Sequence, residues 1–569
     1  MKSARIIAIL AGAALLLAAC SKEADETSIV KANTNPLLAH VPADTIYAFA
    51  TLEAVPTDIT DAYAQRFQPV LDVMSEQIER FQVKYTSGEY GGDLQARFAK
   101  AVLDELGGEL SAESLTRLGI SMQAQQAVYA MGVFPVFRYE LDDAQALRDA
   151  IGRIGEEMGV QIPEKTLNGS PYWSITETDE PVGAYIAILD GQLVFSVFPV
   201  SAEGSMLPAL LGHQMPEESL AANNALAIMN GQKSYTAYGS GFFDIQKLAD
   251  ELLDPASVTN VHLGPYMDHD PATLSPACSS EFRSLAAKAP RMTLGTTKLN
   301  ANEVAVRYEL ELENSLAGGL AGLVADVPVA VDSDNLLSAS LALKVGKLRS
   351  FMLEKANAIV AAPYECEHLQ DLNREAEQLV TQLNIPMPPM VNNLLGLRVR
   401  LDEVDPDGDI QKTRGLLALH VDQPEMFTGM ASMMVPGIDE LDLANQNDPV
   451  RIPQEVLRVD DLIVHALTGD QAIGLSLGED YAANLAAFLD AESKQEGVFF
   501  SIAYDMARQL ELQGVISKKL AVDMDHIDST HGDFSKAFEA SYAAMLDRSR
   551  TEMKFTPDGL TIDSHISFK

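Results

Sequence analysis

Short apolar runs alternate with polar turns along the chain, and one order of elements occurs twice, in residues 40–314 and 333–569. Each half opens on an apolar strand, Thr45 to Leu52 or Leu336 to Leu343. A helix follows, near Thr57 in one half and near Lys347 in the other. Next comes a strand pair that ends at an acidic helix start, Val133 to Leu141 then Asp142-Asp143, and Leu416 to Val421 then Asp422. Aspartate suits that place because its carboxylate accepts the free N–H groups of a helix's first turn.

A hairpin then closes in each half. Ala184 to Leu189 and Gln192 to Val197 flank Asp190-Gly191, a strong two-residue turn. Leu462 to Leu467 and Ala472 to Leu477 flank Thr468-Gly469-Asp470. Helices are expected over Ser205 to Leu211 and Tyr481 to Leu489. Strands Ser234 to Phe243 and Val498 to Tyr504 run into Asp244 and Asp505. A last helix (Ser279 to Ala289; Phe534 to Arg548) precedes a final hairpin in each half.

The pattern predicts an α+β fold of two related modules. Each is a mainly antiparallel sheet of hairpins with helices packed on one face. The expected organisation is a signal segment at 1–19, a tether at 20–39, modules at 40–314 and 333–569, and an Ala/Gly-rich connector at 315–332. The polar stretch Pro436 to Pro453 reads as a loop.

Residues 1–20 read as an address. Lys2 and Arg5 precede an uncharged run from Ile6 to Ala19, which is too short to span a bilayer. It ends Leu17-Ala18-Ala19-Cys20, which resembles the lipobox of bacterial lipoproteins. That resemblance implies cleavage before Cys20 and acylation there, hence a palmitate-type anchor. Ser21 after the cysteine implies the outer membrane, facing the periplasm. The body, opening Val41-Pro42-Ala43-Asp44-Thr45, loosely resembles uncharacterised bacterial envelope proteins.

With 41 Lys+Arg against 81 Asp+Glu the net charge is -40, which argues against nucleic-acid partners. Losing Lys2 and Arg5 with the signal takes it to -42. Three cysteines exclude a disulfide-dense scaffold. With Cys20 lipidated, Cys278 and Cys366 remain in an oxidising compartment and are expected to pair, stapling the two modules.

Candidate chemistry is thin. Gly474-Leu475-Ser476-Leu477-Gly478 fits G-x-S-x-G, but Ser476 falls inside a hairpin strand and not on the strand-to-helix elbow a hydrolase needs. Asp405-Pro406-Asp407-Gly408-Asp409 lacks the sixth-position Gly and twelfth-position Glu of a calcium loop and reads as a hairpin turn. Asp268-His269-Asp270 and the matching Asp525, His526 and Asp528 offer imidazole and carboxylate to a divalent metal. Met430, Met433 and Met434 read as core or a helix end. No cofactor is expected. The leading expectation is a non-enzymatic binding or scaffold lipoprotein with a protein partner in the envelope. The alternatives are a periplasmic hydrolase or metal-dependent enzyme, and a lipid carrier.

Overall fold

The computed structural model describes residues 35–569 except 87–99, 103, 109, 158–163, 177–180, 267–270, 330–333, 406–409, 444–446, 458–461, 492–494, 510–536 and 539. It is a mixed helix and strand structure built on antiparallel strand pairings. The chain falls into two units. Unit 1 holds residues to Leu274, Pro290–Tyr308 and Ile527–Met545. Unit 2 holds Ser275–Ala289, Glu309–His526 and Leu546–Lys569.

The strands of unit 1 are β1 (Tyr47–Ala50), β2 (Gln126–Met131), β3 (Phe134–Glu140), β4 (Glu164–Leu167), β5 (Ser170–Ile175), β6 (Val182–Leu189), β7 (Gln192–Pro199), β8 (Ser240–Asp244), β9 (Arg291–Asn300) and β10 (Glu303–Glu311), which ends in unit 2. Their order across the sheet is β4-β5-β6-β7-β3-β2-β1-β8-β9-β10. Unit 2 carries β11 (Leu337–Ala342), β12 (Leu394–Glu403), β13 (Arg414–Val421), β14 (Val450–Arg451), β15 (Val464–Thr468), β16 (Ala472–Leu477), β17 (Val498–Asp505), β18 (Leu546–Thr556) and β19 (Gly559–Phe568). Their order is β14-β15-β16-β13-β12-β11-β17-β18-β19.

The two orders run in step, and so do their registers. Tyr47 faces Phe243 in unit 1, and Leu337 faces Tyr504 in unit 2. One residue on, the Asp244 N–H donates to the Ile46 carbonyl at 2.7 Å and the Asp505 N–H to that of Leu336 at 3.0 Å. Each aspartate then caps the next turn, accepting from the N–H of Lys247 or Arg508. After the second hairpin strand, the Leu141 N–H meets the Gly191 carbonyl and the Val421 N–H meets that of Gln471.

Helices do not keep to one face, contrary to expectation. β6 is apolar on both sides, so both sides need cover. Tyr185 and Ala187 join a core with helices Glu203–Leu210 and Ala225–Lys233. Ile186 and Ile188 face the other way, against Leu147 and Ala150 of helix Ala144–Glu157 and the sole tryptophan, Trp173. In unit 2, Leu416, Ala418 and Leu467 pack under helix Leu485–Leu489. Val464 and Ala466 pack on the opposite face against Leu443 and Ile452, so the stretch read as a polar loop supplies core.

Other boundaries also move. Residues 36–40, all but the last expected in the tether, form a short helix capped by Asn35, with Leu37 and Leu38 fully buried. The expected connector is helix Asn314–Ala321 followed by buried Leu323, Ala325 and Val327, part of unit 2's core. Leu546–Arg548, expected at the end of a helix, open β18. Strand β8 starts only at Ser240, because Ser234 takes a left-handed backbone (φ 59°) that ends helix Ala225–Lys233.

Candidate functional site

Cys20 and the metal candidates Asp268, His269, Asp270, Asp525, His526 and Asp528 lie outside the described residues. Among the described residues no group of three or more His, Cys, Asp or Glu is placed to hold a metal ion. No helix among them is long and apolar enough to cross a membrane.

Cys278 and Cys366 are bonded, their Cα atoms 4.5 Å apart. Cys278 sits in helix Pro276–Lys288, which begins at Ser275 and Pro276, a capping serine followed by the residue best suited to a helix's first position. That helix belongs to unit 2, as does Cys366, so the bond closes within one unit and does not staple the two. One turn further along, the Glu281 carboxylate accepts the N–H groups of Glu365 and Cys366 at 2.8 and 3.0 Å.

Ser476 occupies the middle of three strands, paired with Leu416 on one side and His465 on the other. Its side chain is fully buried. Neither Ser476 Oγ nor His465 Nδ1 has a hydrogen-bond partner, so these neighbours are not bonded to each other. Burial, with the Arg451 guanidinium, holds His465 below its usual pKa, while Glu479 pulls the other way. The chain leaves the strand through Gly478 at φ +99°, where a Cβ would lie 2.6 Å from the Arg414 side chain. A serine with no water access and no base cannot attack an acyl group, so the hydrolase motif is a strand packing feature. Nearby, Arg400 donates two hydrogen bonds to Asp402 at 2.8 and 2.9 Å. Burial pushes the Tyr481 hydroxyl beside them up to about 12.

β12 and β13 pair as the antiparallel arms expected of a hairpin, and Asp405 is paired with Lys412 at 3.0 Å, while Pro406, Asp407, Gly408 and Asp409 lie outside the described residues. Met433 and Met434 close helix Pro424–Met434 and stand largely in solvent.

The feature not foreseen is a buried arginine in each sheet. Arg138 of β3 faces Ala127 of β2, and Arg398 of β12 faces Ala418 of β13. The Arg–Ala pair therefore occupies corresponding strands with its members exchanged. Arg138 donates to the Leu210 carbonyl at 2.9 Å, the Tyr129 hydroxyl at 3.1 Å and Gln192 at 3.3 Å. Arg398 donates to the Phe488 carbonyl at 2.8 Å and lies 4.3 Å from that ring's centroid. Both carbonyls are in the last turn of the helix after the hairpin, where backbone oxygens lack acceptors' partners within the helix and the dipole favours a cation. The only sequence sign was a charged residue flanked by apolar ones, Arg138 between Phe137 and Tyr139 and Arg398 between Leu397 and Val399.

Each arginine has a histidine as neighbour, half-buried His40 beside Arg138 and buried His420 beside Arg398. Burial first, and the Arg138 charge second, hold His40 down at about 4, against a small upward pull from Asp190. Burial and Arg398 do the same to His420. Unfolded histidine titrates near 6.5. The unfolded chain therefore takes up protons first as pH falls, and stability should decline from about pH 6.5 to about pH 4. Thermal unfolding across that range should show a slope that flattens in the His420→Leu variant. An unchanged slope would mean that other groups set the acid response.

No protein family, no curated protein and no solved structure matches this chain.

Proposed function

We propose that the chain is a lipid-anchored envelope protein, built from two related modules, that binds or scaffolds a protein partner in the periplasm. The Cys278–Cys366 bond carries the compartment, since such bonds persist in oxidising surroundings. It is independent of the lipobox at residues 17–20, and the two agree. The matching strand order, the matching Asp244 and Asp505 caps, and the arginine under each helix end support an ancient duplication. Burial of Ser476 favours binding over the hydrolase that the same motif suggested.

Cys20→Ser tests the anchor. In the parent cell, labelled palmitate should enter the wild-type protein and be absent from the variant, which should move from the membrane pellet to the soluble periplasmic fraction. A variant that stays in the pellet with its label would overturn the reading. Crosslinking in intact cells should then recover one recurring partner with the wild type. Separation of the two membranes by density checks the outer-membrane placement inferred from Ser21.

A further inference from the structure

Unit 1 holds a second serine–histidine pair that no motif announced. Pro199 ends β7, Val200–Ala202 form a single tight turn, and helix Glu203–Leu210 starts at once. Ser201 thus stands at an exposed strand-to-helix turn. Its Oγ lies 3.1 Å from His262 Nδ1, within the range of a nucleophile and its base. With the ring proton on Nε2, Nδ1 accepts the serine proton.

The histidine is held by its own helix, Val258–Leu263. Ser257 caps that helix by accepting the Asn260 N–H. The Asn260 side chain donates to three carbonyls, those of Glu251, Leu252 and Asp254. Thr259 is fully buried, donates to Glu251 and accepts the Val133 N–H. With Thr259 and Asn260 facing inward, Val258, Val261 and His262 share the outward face. Val261 is 54% exposed and Tyr266, just past the helix, is 59% exposed. Val258 and Val200 are also exposed, so apolar surface flanks the pair on both contributing segments. The Ser201 N–H lies in the opening turn, where no acceptor exists within the helix and no side chain caps it.

We propose that Ser201 and His262 form a nucleophile–base pair that cleaves esters bearing short apolar acyl groups. Ser201 Oγ attacks the carbonyl carbon as its proton passes to His262. The ester C–O bond then breaks, and His262 returns the proton to the departing alcohol. Water, giving a proton to the same nitrogen, releases the acyl group as a carboxylic acid and restores Ser201. The apolar flanks would take the acyl chain, and the Ser201 N–H the oxyanion. This activity goes beyond the anchored-binding reading and does not depend on it.

The full-length protein, treated with a fluorophosphonate probe and assayed with p-nitrophenyl butyrate, supplies the test. The label should map to Ser201. Ser201→Ala should abolish it, and His262→Ala should slow ester cleavage about 100-fold. Ser476→Ala should leave both unchanged. An unlabelled wild type, or Ser201→Ala labelled at the wild-type rate, would overturn the proposal. Ser201→Cys gives a second reading, because His262 should speed its alkylation by iodoacetamide about ten-fold. Equal alkylation with and without His262 would sink the pairing.

Discussion

Cys278→Ser/Cys366→Ser should unfold unit 2 at lower temperature and lower denaturant than the wild type. The bond spans 88 residues of sequence. Closing a loop of that size in the unfolded chain is worth up to ~4.6 kcal/mol in the chain-entropy account. For a body of this size that is roughly a 10 °C fall in midpoint. Two bonds temper the loss. Glu281 still accepts from the N–H groups of Glu365 and Cys366, holding the same segment to the same helix. Adding Glu281→Ala should therefore cost more in the disulfide-free background than in the wild type. Reductant should bring the wild type to the double variant's midpoint. If neither reductant nor mutation moves unit 2, the bond contributes nothing to its folding.

Arg138→Ala should destabilise unit 1 by about 3–5 kcal/mol, read from denaturant unfolding. Arg138 is 2% exposed, and its guanidinium serves three acceptors. Deleting it leaves the Leu210 carbonyl without a donor in an apolar core and opens a cavity beside Tyr129. Arg138→Met keeps most of the volume and should cost less, so the difference isolates the hydrogen bonds. It should also relieve the charge that helps to hold His40 down, raising that histidine's pKa. An Arg138→Ala protein as stable as wild type would mean that the helix end needs no donor from the sheet.

Hairpins with a strong turn were the most legible part of the sequence. Asp190-Gly191 adopts left-handed backbone at both residues (φ 48° and 76°) between β6 and β7, as its chemistry requires. Asn168-Gly169 does the same between β4 and β5 (φ 51° and 89°), although β4 opens on Glu164, Lys165 and Thr166 and shows no apolar alternation to mark it as a strand. The Asp244 and Asp505 caps were legible because a cap needs only neighbours in sequence. What failed depended on distant cover. Ser315–Ala325 looks like a linker by composition and becomes core only because β11 and Leu395 lie against it. Arginines 138 and 398 look like surface charges until a helix end is placed above them. Ser201 and His262, 61 residues apart, carry no shared pattern in the sequence at all.

The burial of Leu37 and Leu38 puts residues 36–40 within the packed body. If Cys20 carries the lipid proposed above, residues 21–34 join that anchor to the first described residue, Asn35. Fully drawn out, that leash reaches about 50 Å. On that proposal Asn35 stays within that distance of the anchor, and a partner that meets unit 1 near Asn35 comes as close to the bilayer or carries an arm of its own.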